Sequence, residues 1–293
     1  MVMHEFGGSW TEQKLSALRD YLIAYRQIFS KNPRAAKLKT IYVDAFAGTG
    51  SRVDRGTHSN DAQMSLVDLE EAESIRAGSA RIALELPSPF DEYLFIDKKR
   101  AHARHLQELI DTQFAHLSNR CSVSRGDANE VLRNFAQSQN WNATRAVVFL
   151  DPYGMSVDWE TLTALARTQA IDLWLLIPVG NAVMRLLERK SLPRATFSRR
   201  LTLFFGEDAW RDRFYKIADQ GQLFGESPQE VKIATFESIG QYSLERLATI
   251  FAGVAPRSLP LVNSKGNVLF LLCFAAANKK GAPIAIRIAN HLL

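Results

Sequence analysis

Four aspartates stand at the ends of strand-like runs: Asp44 after Thr40-Ile41-Tyr42-Val43, Asp97 after Tyr93-Leu94-Phe95-Ile96, Asp127 beyond Ser122–Ser124, and Asp151 closing Ala146–Asp151. The first is followed by two glycines one residue apart, in Asp44-Ala45-Phe46-Ala47-Gly48-Thr49-Gly50. The fourth opens Asp151-Pro152-Tyr153-Gly154. Carboxylates make strong, charge-assisted hydrogen bonds to hydroxyls and amines. Glycines lacking Cβ let a ligand approach the backbone and tolerate a sharp turn. Acids and glycines so arranged suit recognition of a nucleotide-like ligand.

Two common phosphate loops do not fit. A P-loop ends in Gly-Lys-Ser/Thr, whereas Gly50 is followed by Ser51-Arg52. A dinucleotide fingerprint has a third glycine or alanine three residues past the second, and that position is Val53. The pattern D-x-F-x-G-x-G instead matches the S-adenosylmethionine loop of class I methyltransferases. Asp44, Phe46, Gly48 and Gly50 would then shape the methionine and ribose side. Asp97 would take the ribose hydroxyls. Asp127 would accept from the adenine amine while the Ala128 N–H meets a ring nitrogen. Any one acid after a strand is commonly a helix cap or turn former. Four on successive strands behind this loop are harder to explain as independent caps.

The Asp151-Pro152-Tyr153-Gly154 run stands where amino-methyltransferases of nucleic acids carry Asp/Asn-Pro-Pro-Tyr. An exocyclic amine delocalises its lone pair into the ring and is a poor nucleophile. The Asp151 carboxylate and the Pro152 carbonyl, accepting its two hydrogens, would raise electron density on nitrogen. Tyr153 would stack on the base and aim that nitrogen, a gain of orientation and electrostatic placement. Here the aromatic is third and glycine fourth, closer to the Asp-Pro-Phe-Gly of tRNA guanine dimethyltransferases. The plainer alternative is a strand stopped by proline, with Tyr153 as cover.

The elements that must position these residues follow from periodicity. Leu15, Leu18, Leu22, Tyr25 and Phe29 predict an amphipathic helix over about 10–30. After the glycine loop, 51–77 is polar, and a helical pattern resumes at Gly78-Ser79-Ala80. Strands at 92–97, 122–124, 146–151 and 171–178 alternate with helices at about 99–117, 128–139, 158–168 and 180–190. Alternation predicts a mainly parallel sheet covered on both faces. The segment 191–235 breaks this rhythm, mixing Arg194, Arg199, Arg200, Arg211, Arg213 and Lys216 with Phe204, Phe205, Trp210, Phe214 and Tyr215. A helix at 238–252 precedes strands 258–262 and 267–275, joined by a hairpin turn at Asn263-Ser264-Lys265-Gly266, and a closing helix spans 281–292. The expected fold is therefore α/β and Rossmann-like, the class I methyltransferase type. It has a mostly parallel seven-stranded sheet, an antiparallel C-terminal hairpin and helical additions, in a single domain spanning 1–293.

Composition adds bounds. The 293 residues are 46% hydrophobic, with mean hydropathy −0.13. There is no apolar run of membrane-spanning length and no signal-peptide pattern at Met1-Val2-Met3-His4. Cys121 and Cys273 lack C-x-x-C spacing and the histidines show no ligand spacing, so neither a disulfide nor a metal site is expected; His102 and His105 are expected to face solvent. A reducing cytoplasm fits. Net charge +5 and pI 9.2 permit an anionic partner.

Together these features resemble the three-Cys-motif partner proteins. The resemblance rests on Trp10 and Lys14 ahead of a helix bearing Tyr21 and Tyr25, on Tyr42 through Gly50, and on Gly78-Ser79 opening a delayed helix. Phe95-Ile96-Asp97, Gly126-Asp127, Asp151 through Gly154, Leu269–Ala276 and the Asn278–Gly281 turn also fit. It implies a class I methyltransferase-like fold of prokaryotes, found near a separate protein whose three clustered cysteines are thought to hold an iron–sulfur centre. Two functions are open. One is S-adenosylmethionine-dependent N-methylation of a nucleobase or nucleotide-like acceptor. The other is a non-catalytic methyltransferase-like partner of the three-Cys-motif protein. A nucleotide-dependent oxidoreductase is disfavoured by the broken fingerprint. The 51–77 loop would either act as a lid or substrate reader or be disordered. The 194–216 segment would either grip phosphates and stack bases or form a helical pair with a solvated basic face.

Overall fold

The computed structural model describes residues 9–48, 78–217, 230–263 and 265–293. Thr49, Gly50, the 51–77 loop and 218–229 of the basic-aromatic segment lie outside the described residues.

The main sheet grows from runs that bury both faces. Strands β1 (Lys39–Asp44), β2 (Glu92–Asp97), β3 (Cys121–Arg125), β4 (Thr144–Leu150) and β5 (Ile171–Ile177) are parallel, in the order β3-β2-β1-β4-β5. The central strands β1, β4 and β5 are almost wholly buried. Their β-branched and aromatic residues serve two hydrophobic faces at once. β3, at the edge, carries the polar run Cys-Ser-Val-Ser-Arg. In the segment after β5 a small ribbon pairs β6 (Tyr215–Ile217) with β7 (Glu230–Lys232). The sheet is completed by β8 (Gly253–Val254), β9 (Leu259–Val262) and β10 (Val268–Ala276).

β10 runs antiparallel to β5, and β9 and β8 both line its other edge, pairing with different halves of it. The expected seventh place is thus shared by two short strands, giving eight strands among the described residues. The two-residue β8 is too short to leave a periodic signal. The hairpin of β9 and β10 is found as expected. This strand order, with an antiparallel strand beside β5, is the Rossmann-like class I methyltransferase sheet.

The helices are α1 (Ser9–Lys31), α2 (78–84), α3 (Arg100–Gln113), α4 (Ala128–Ser138), α5 (Trp159–Arg167), α6 (Met184–Leu186), α7 (Ala195–Phe205), α8 (Trp210–Phe214), α9 (Phe236–Ala248) and α10 (Ala282–Leu292). α1, α2, α3 and α10 bury Leu18, Tyr21, Ala83, Leu106 and Ala285 against Tyr42, Phe95, Phe149 and Trp174 of the sheet. α4, α5, α7, α8 and α9 bury Leu132, Leu165, Phe205, Trp210 and Leu247 against Val43, Val148, Leu175 and Cys273 on the other face.

The helix expected over 180–190 is found in irregular form and stops at Leu186. A π-type turn, Val179–Val183, leads into the single turn of α6. Gly180 explains the difference, because a Cβ there would stand 2.1 Å from the Val268 carbonyl oxygen. The chain presses on β10 at this point, and packing rather than propensity sets its path. The helix expected over 99–117 stops at Gln113 and gives way to a 3-10 segment, Ala115–Arg120.

Candidate active site

The carboxyl ends of parallel strands are where α/β sheets bind ligands, and β2, β1 and β4 end side by side here. After Asp44 the chain threads between its neighbours. The Ala45 N–H donates to the Phe149 carbonyl at 3.2 Å, and the Ala47 N–H to the Ile96 carbonyl at 3.0 Å. Gly48 then turns with φ +62°, in the left-handed region that suits glycine. Its N–H donates to Asp97 Oδ2 at 3.1 Å, tying the glycine loop to the second acid. Phe46 is half-buried and packs against the core.

Asp97 is 6% exposed. Its Oδ1 accepts from the Lys99 N–H at 2.7 Å, and His102 Nδ1 lies 3.1 Å from Oδ2. A carboxylate accepts about four hydrogen bonds; among the described residues Oδ1 takes one, from Lys99, and Oδ2 takes the Gly48 N–H with His102 Nδ1 beside it. The expectation that His102 faces solvent is corrected. From the first turn of α3 its side chain leans back toward the helix start, onto the strand-end acid, and is 17% exposed. His105 is exposed as expected.

Asp127 is exposed and caps α4, its Oδ1 accepting from the Asn129 N–H at 3.0 Å. Its turn lies beside β2, since the Gly126 N–H faces the Asp97 carbonyl at 3.4 Å. Buried Ala128 opens the helix. The residue that ties this turn to the fourth acid's loop is Asn129. It donates to the Ser156 carbonyl at 2.8 Å and accepts from the Asp158 N–H and the Thr161 hydroxyl, both at 2.9 Å.

Asp151 is buried, and Lys14 of α1, wholly buried, reaches its Oδ2 at 2.7 Å. The Lys14 ammonium also lies 5.6 Å from the centre of the Phe149 ring. Beside this pair, Asp44 Oδ2 accepts from the Ser79 hydroxyl of α2 at 2.6 Å, and Oδ1 from the Phe46 N–H at 3.3 Å. Burial pushes the Asp44 carboxyl up to about 7; the Ser79 and Phe46 hydrogen bonds pull it down, Asp151 pushes it up, and Lys14 pulls it down. α1 and α2 pack closely, for a Cβ on Gly78 would meet Leu15 Cδ1 at 2.6 Å.

Pro152 is buried and Gly154 adopts φ +56°. Tyr153 is 40% exposed, with the Lys99 ammonium 5.6 Å from its ring centre. The β2–α3 connection therefore meets the fourth strand's motif above β1, and Lys98, Lys99 and Arg100 are all exposed there. Of the aromatic residues in 191–235, Phe204, Phe205, Trp210, Phe214 and Tyr215 are core side chains, so burial removes them from any contact with bases. Arg200, Arg211 and Arg213 pair with Asp158, Asp208 and Glu245. Of the two alternatives for 194–216, the described residues fit the helical pair, α7 and α8, with its basic side chains at the surface. Cavities of about 380 and 410 Å³ open at the other end of the sheet, beside Gln169 and Lys279 and beside Arg26 and Lys39.

Asp44, Gly48, Asp97 and Asp151 are thus brought together, Asp127 borders them, and Gly50 is outside the described residues. Three participants had no role assigned from sequence. Lys14 shares the buried face of α1 with Leu18, Tyr21 and Tyr25, and a charge on an apolar stripe was its signal. Ser79 and His102 left only their spacing, since neither residue type is unusual near a helix start.

No protein-family model matches this sequence, and no curated protein matches it. Solved structures do. A protein from Legionella pneumophila is 11% identical, covers 98% of this chain and 92% of its own, and superposes with a TM-score of 0.50. An S-adenosylmethionine-dependent methyltransferase from Clostridium acetobutylicum is 10% identical over 90% of this chain and 92% of its own, with a TM-score of 0.38. The methyltransferase domain of bacterial CtHen1 is 10% identical over 92% of this chain and 100% of its own, with a TM-score of 0.39. At such identities the likeness is one of fold. No described helix is long and apolar enough to cross a membrane.

Proposed function

We propose that this chain is an S-adenosylmethionine-dependent methyltransferase acting on nitrogen of a nucleobase or nucleotide-like acceptor. The observation that carries this reading is the Gly48 N–H to Asp97 bond, which joins the glycine loop to the second acid at the mouth of β1 and β2. Asp97 Oδ1, which among the described residues accepts one bond, would accept a ribose hydroxyl. Asp44, Phe46, Gly48 and Gly50 would hold the methionine and ribose side, Asp97 the ribose, and Asp127 with Ala128 the adenine. Bound there, the cofactor would supply an electrophilic methyl group on a sulfonium. Asp151 and Pro152 would accept the hydrogens of the acceptor amine, and exposed Tyr153 would stack on its ring. Lys98, Lys99 and Arg100 beside that ring favour a polyanionic acceptor.

A second reading is a methyltransferase-like partner that binds without transferring, serving a three-Cys-motif protein. One observation favours it: Lys14 already bonds Asp151 Oδ2, so its ammonium offsets the charge that an acceptor amine would call on. Calorimetry with S-adenosylmethionine, on the wild type and Asp97→Ala, tests the cofactor site. Radiolabelled methyl transfer into total RNA, compared with Asp151→Ala, tests catalysis. Tight binding without transfer to any nucleic acid would select the second reading; no binding would end both.

A further inference from the structure

His102 has no part in the reading above, yet it touches the acid on which that reading turns. It is the third residue of α3, four positions ahead of buried Leu106, with Leu109 and Ile110 following on the same face. The buried stripe of the helix thus continues to His102, where it meets the end of β2. Its neighbour there is not an apolar side chain but Asp97, with His102 Nδ1 3.1 Å from Oδ2. The histidine side chain is 17% exposed and that of the acid 6%. An ionised carboxylate only accepts hydrogen bonds, so Nδ1–H donates to Oδ2, and in the neutral ring Nε2 is left as the acceptor.

Among the described residues the other donors to Asp97 are backbone N–H groups, of Gly48 on Oδ2 and of Lys99 on Oδ1, and both lie in loops. Rotation of a carboxylate about its Cβ–Cγ bond is soft. A ring carried by a helix and packed at its buried edge holds such a group more firmly than a loop does. Resting on the cofactor reading above, we infer that His102 is the positioning residue of the ribose-binding acid: through Nδ1 it sets the plane of the Asp97 carboxylate, and with it the preference of the site for a ligand bearing ribose hydroxyls. It acts on Asp97 and does not itself touch the ligand. Because Oδ2 also accepts the Gly48 N–H, the ring steadies the acid and the glycine loop together. A tie that only pinned α3 to β2 would contribute to folding and leave ligand discrimination unchanged.

The test uses the full chain and titration calorimetry with S-adenosylhomocysteine and its 2′-deoxy and 3′-deoxy analogues. Wild type is expected to favour the diol over at least one analogue by about tenfold or more, the value of a hydrogen bond to a charged group. His102→Leu should reduce that preference at least about threefold. His102→Asn, whose amide can donate from near the place of Nδ1, should recover most of it. Imidazole nitrogen NMR of the wild-type complex with S-adenosylhomocysteine reads the contact without a variant, and should show the proton on Nδ1. A full preference in His102→Leu, or a bare Nδ1 in the wild-type complex, would overturn the inference while leaving the cofactor site standing. So would a folded His102→Asn protein no better than His102→Leu, which would place the ring in direct contact with the ligand. Wild type that binds all three equally would remove the ribose role of Asp97 and the inference with it. Absence of binding by all three would overturn the site and the inference together.

Discussion

Lys14 and Asp151 stand 137 positions apart in the chain, yet their charged atoms meet at 2.7 Å with the lysine wholly buried. This contact fixes α1 over the carboxyl ends of the strands. Removing one member of a buried pair leaves the other charge uncompensated, which costs about 3–5 kcal/mol. Lys14→Met is expected to lose that much at pH 7. Adding Asp151→Asn to the same chain should restore most of it, since neither member of the pair is then left charged. Urea denaturation of the two single variants and the double one measures the coupling. Strictly additive costs would show that the pair does not act as a unit.

Asp44 carries a stability cost of the opposite kind. Its carboxyl lies at about 7 in the folded chain against an ordinary 3.8. Between those values the folded state holds more protons than the unfolded one, so stability falls as pH rises from about 4 to 7. Asp172, half-buried and pushed up to about 6 by desolvation while bonded to the Tyr21 hydroxyl at 2.7 Å, acts in the same sense over a narrower window. Asp44→Asn removes the larger cost and retains an acceptor for the Phe46 N–H. Denaturation midpoints should show it about 2–4 kcal/mol more stable than wild type at pH 8, and equal to it at pH 4. A variant less stable at pH 8 would contradict the burial argument.

Much of this was legible in the residues, for identifiable reasons. Parallel strands buried on both faces must be continuous apolar runs, so Ile41 through Val43 and Val147 through Leu150 announced themselves, and with them the acids at their ends. The β9–β10 hairpin was marked by its turn residues. What escaped depended on partners distant in sequence. Gly180 sits in a π-type turn rather than an α-helix, with Val268 lying against it. Lys14, Ser79 and His102 gain meaning only once α1, α2 and α3 are laid beside β4, β1 and β2. The arginines and aromatics of 191–235 were ambiguous because composition cannot say which side of a helix faces the core.

Asp97 and Asp127 are alike in sequence and unlike in structure, which predicts unequal roles. Asp97 is buried and bonded to the glycine loop; Asp127 is exposed and spends an oxygen on the cap of α4. Asp97→Ala should weaken S-adenosylhomocysteine binding by at least about 10-fold, the value of a hydrogen bond to a charged group. Asp127→Ala should weaken it by less than about fivefold and cost about 1 kcal/mol of stability through the lost cap. Asp127→Asn, which can still cap, should recover that stability. Calorimetry and thermal melting together decide the ranking, and an Asp127→Ala protein of full stability with no ligand binding would reverse it.

The exposed ring of Tyr153 and the run Lys98-Lys99-Arg100 make a separable claim about the acceptor. Stacking on an aromatic contributes about 1–3 kcal/mol per base, and each phosphate neutralised adds to the salt dependence of binding. Tyr153→Ala is therefore expected to weaken binding of a short adenine-rich RNA strand by about 5- to 100-fold at every salt concentration. The triple change Lys98→Glu, Lys99→Glu and Arg100→Glu should act differently. It should flatten the slope of log affinity against log salt by up to about 2, with its largest effect at low salt. Fluorescence anisotropy over 50 to 200 mM salt, roughly the range in which phosphate contacts dominate, distinguishes the two patterns. If neither change alters RNA binding while both proteins still take up the cofactor, the acceptor lies outside the nucleic acids.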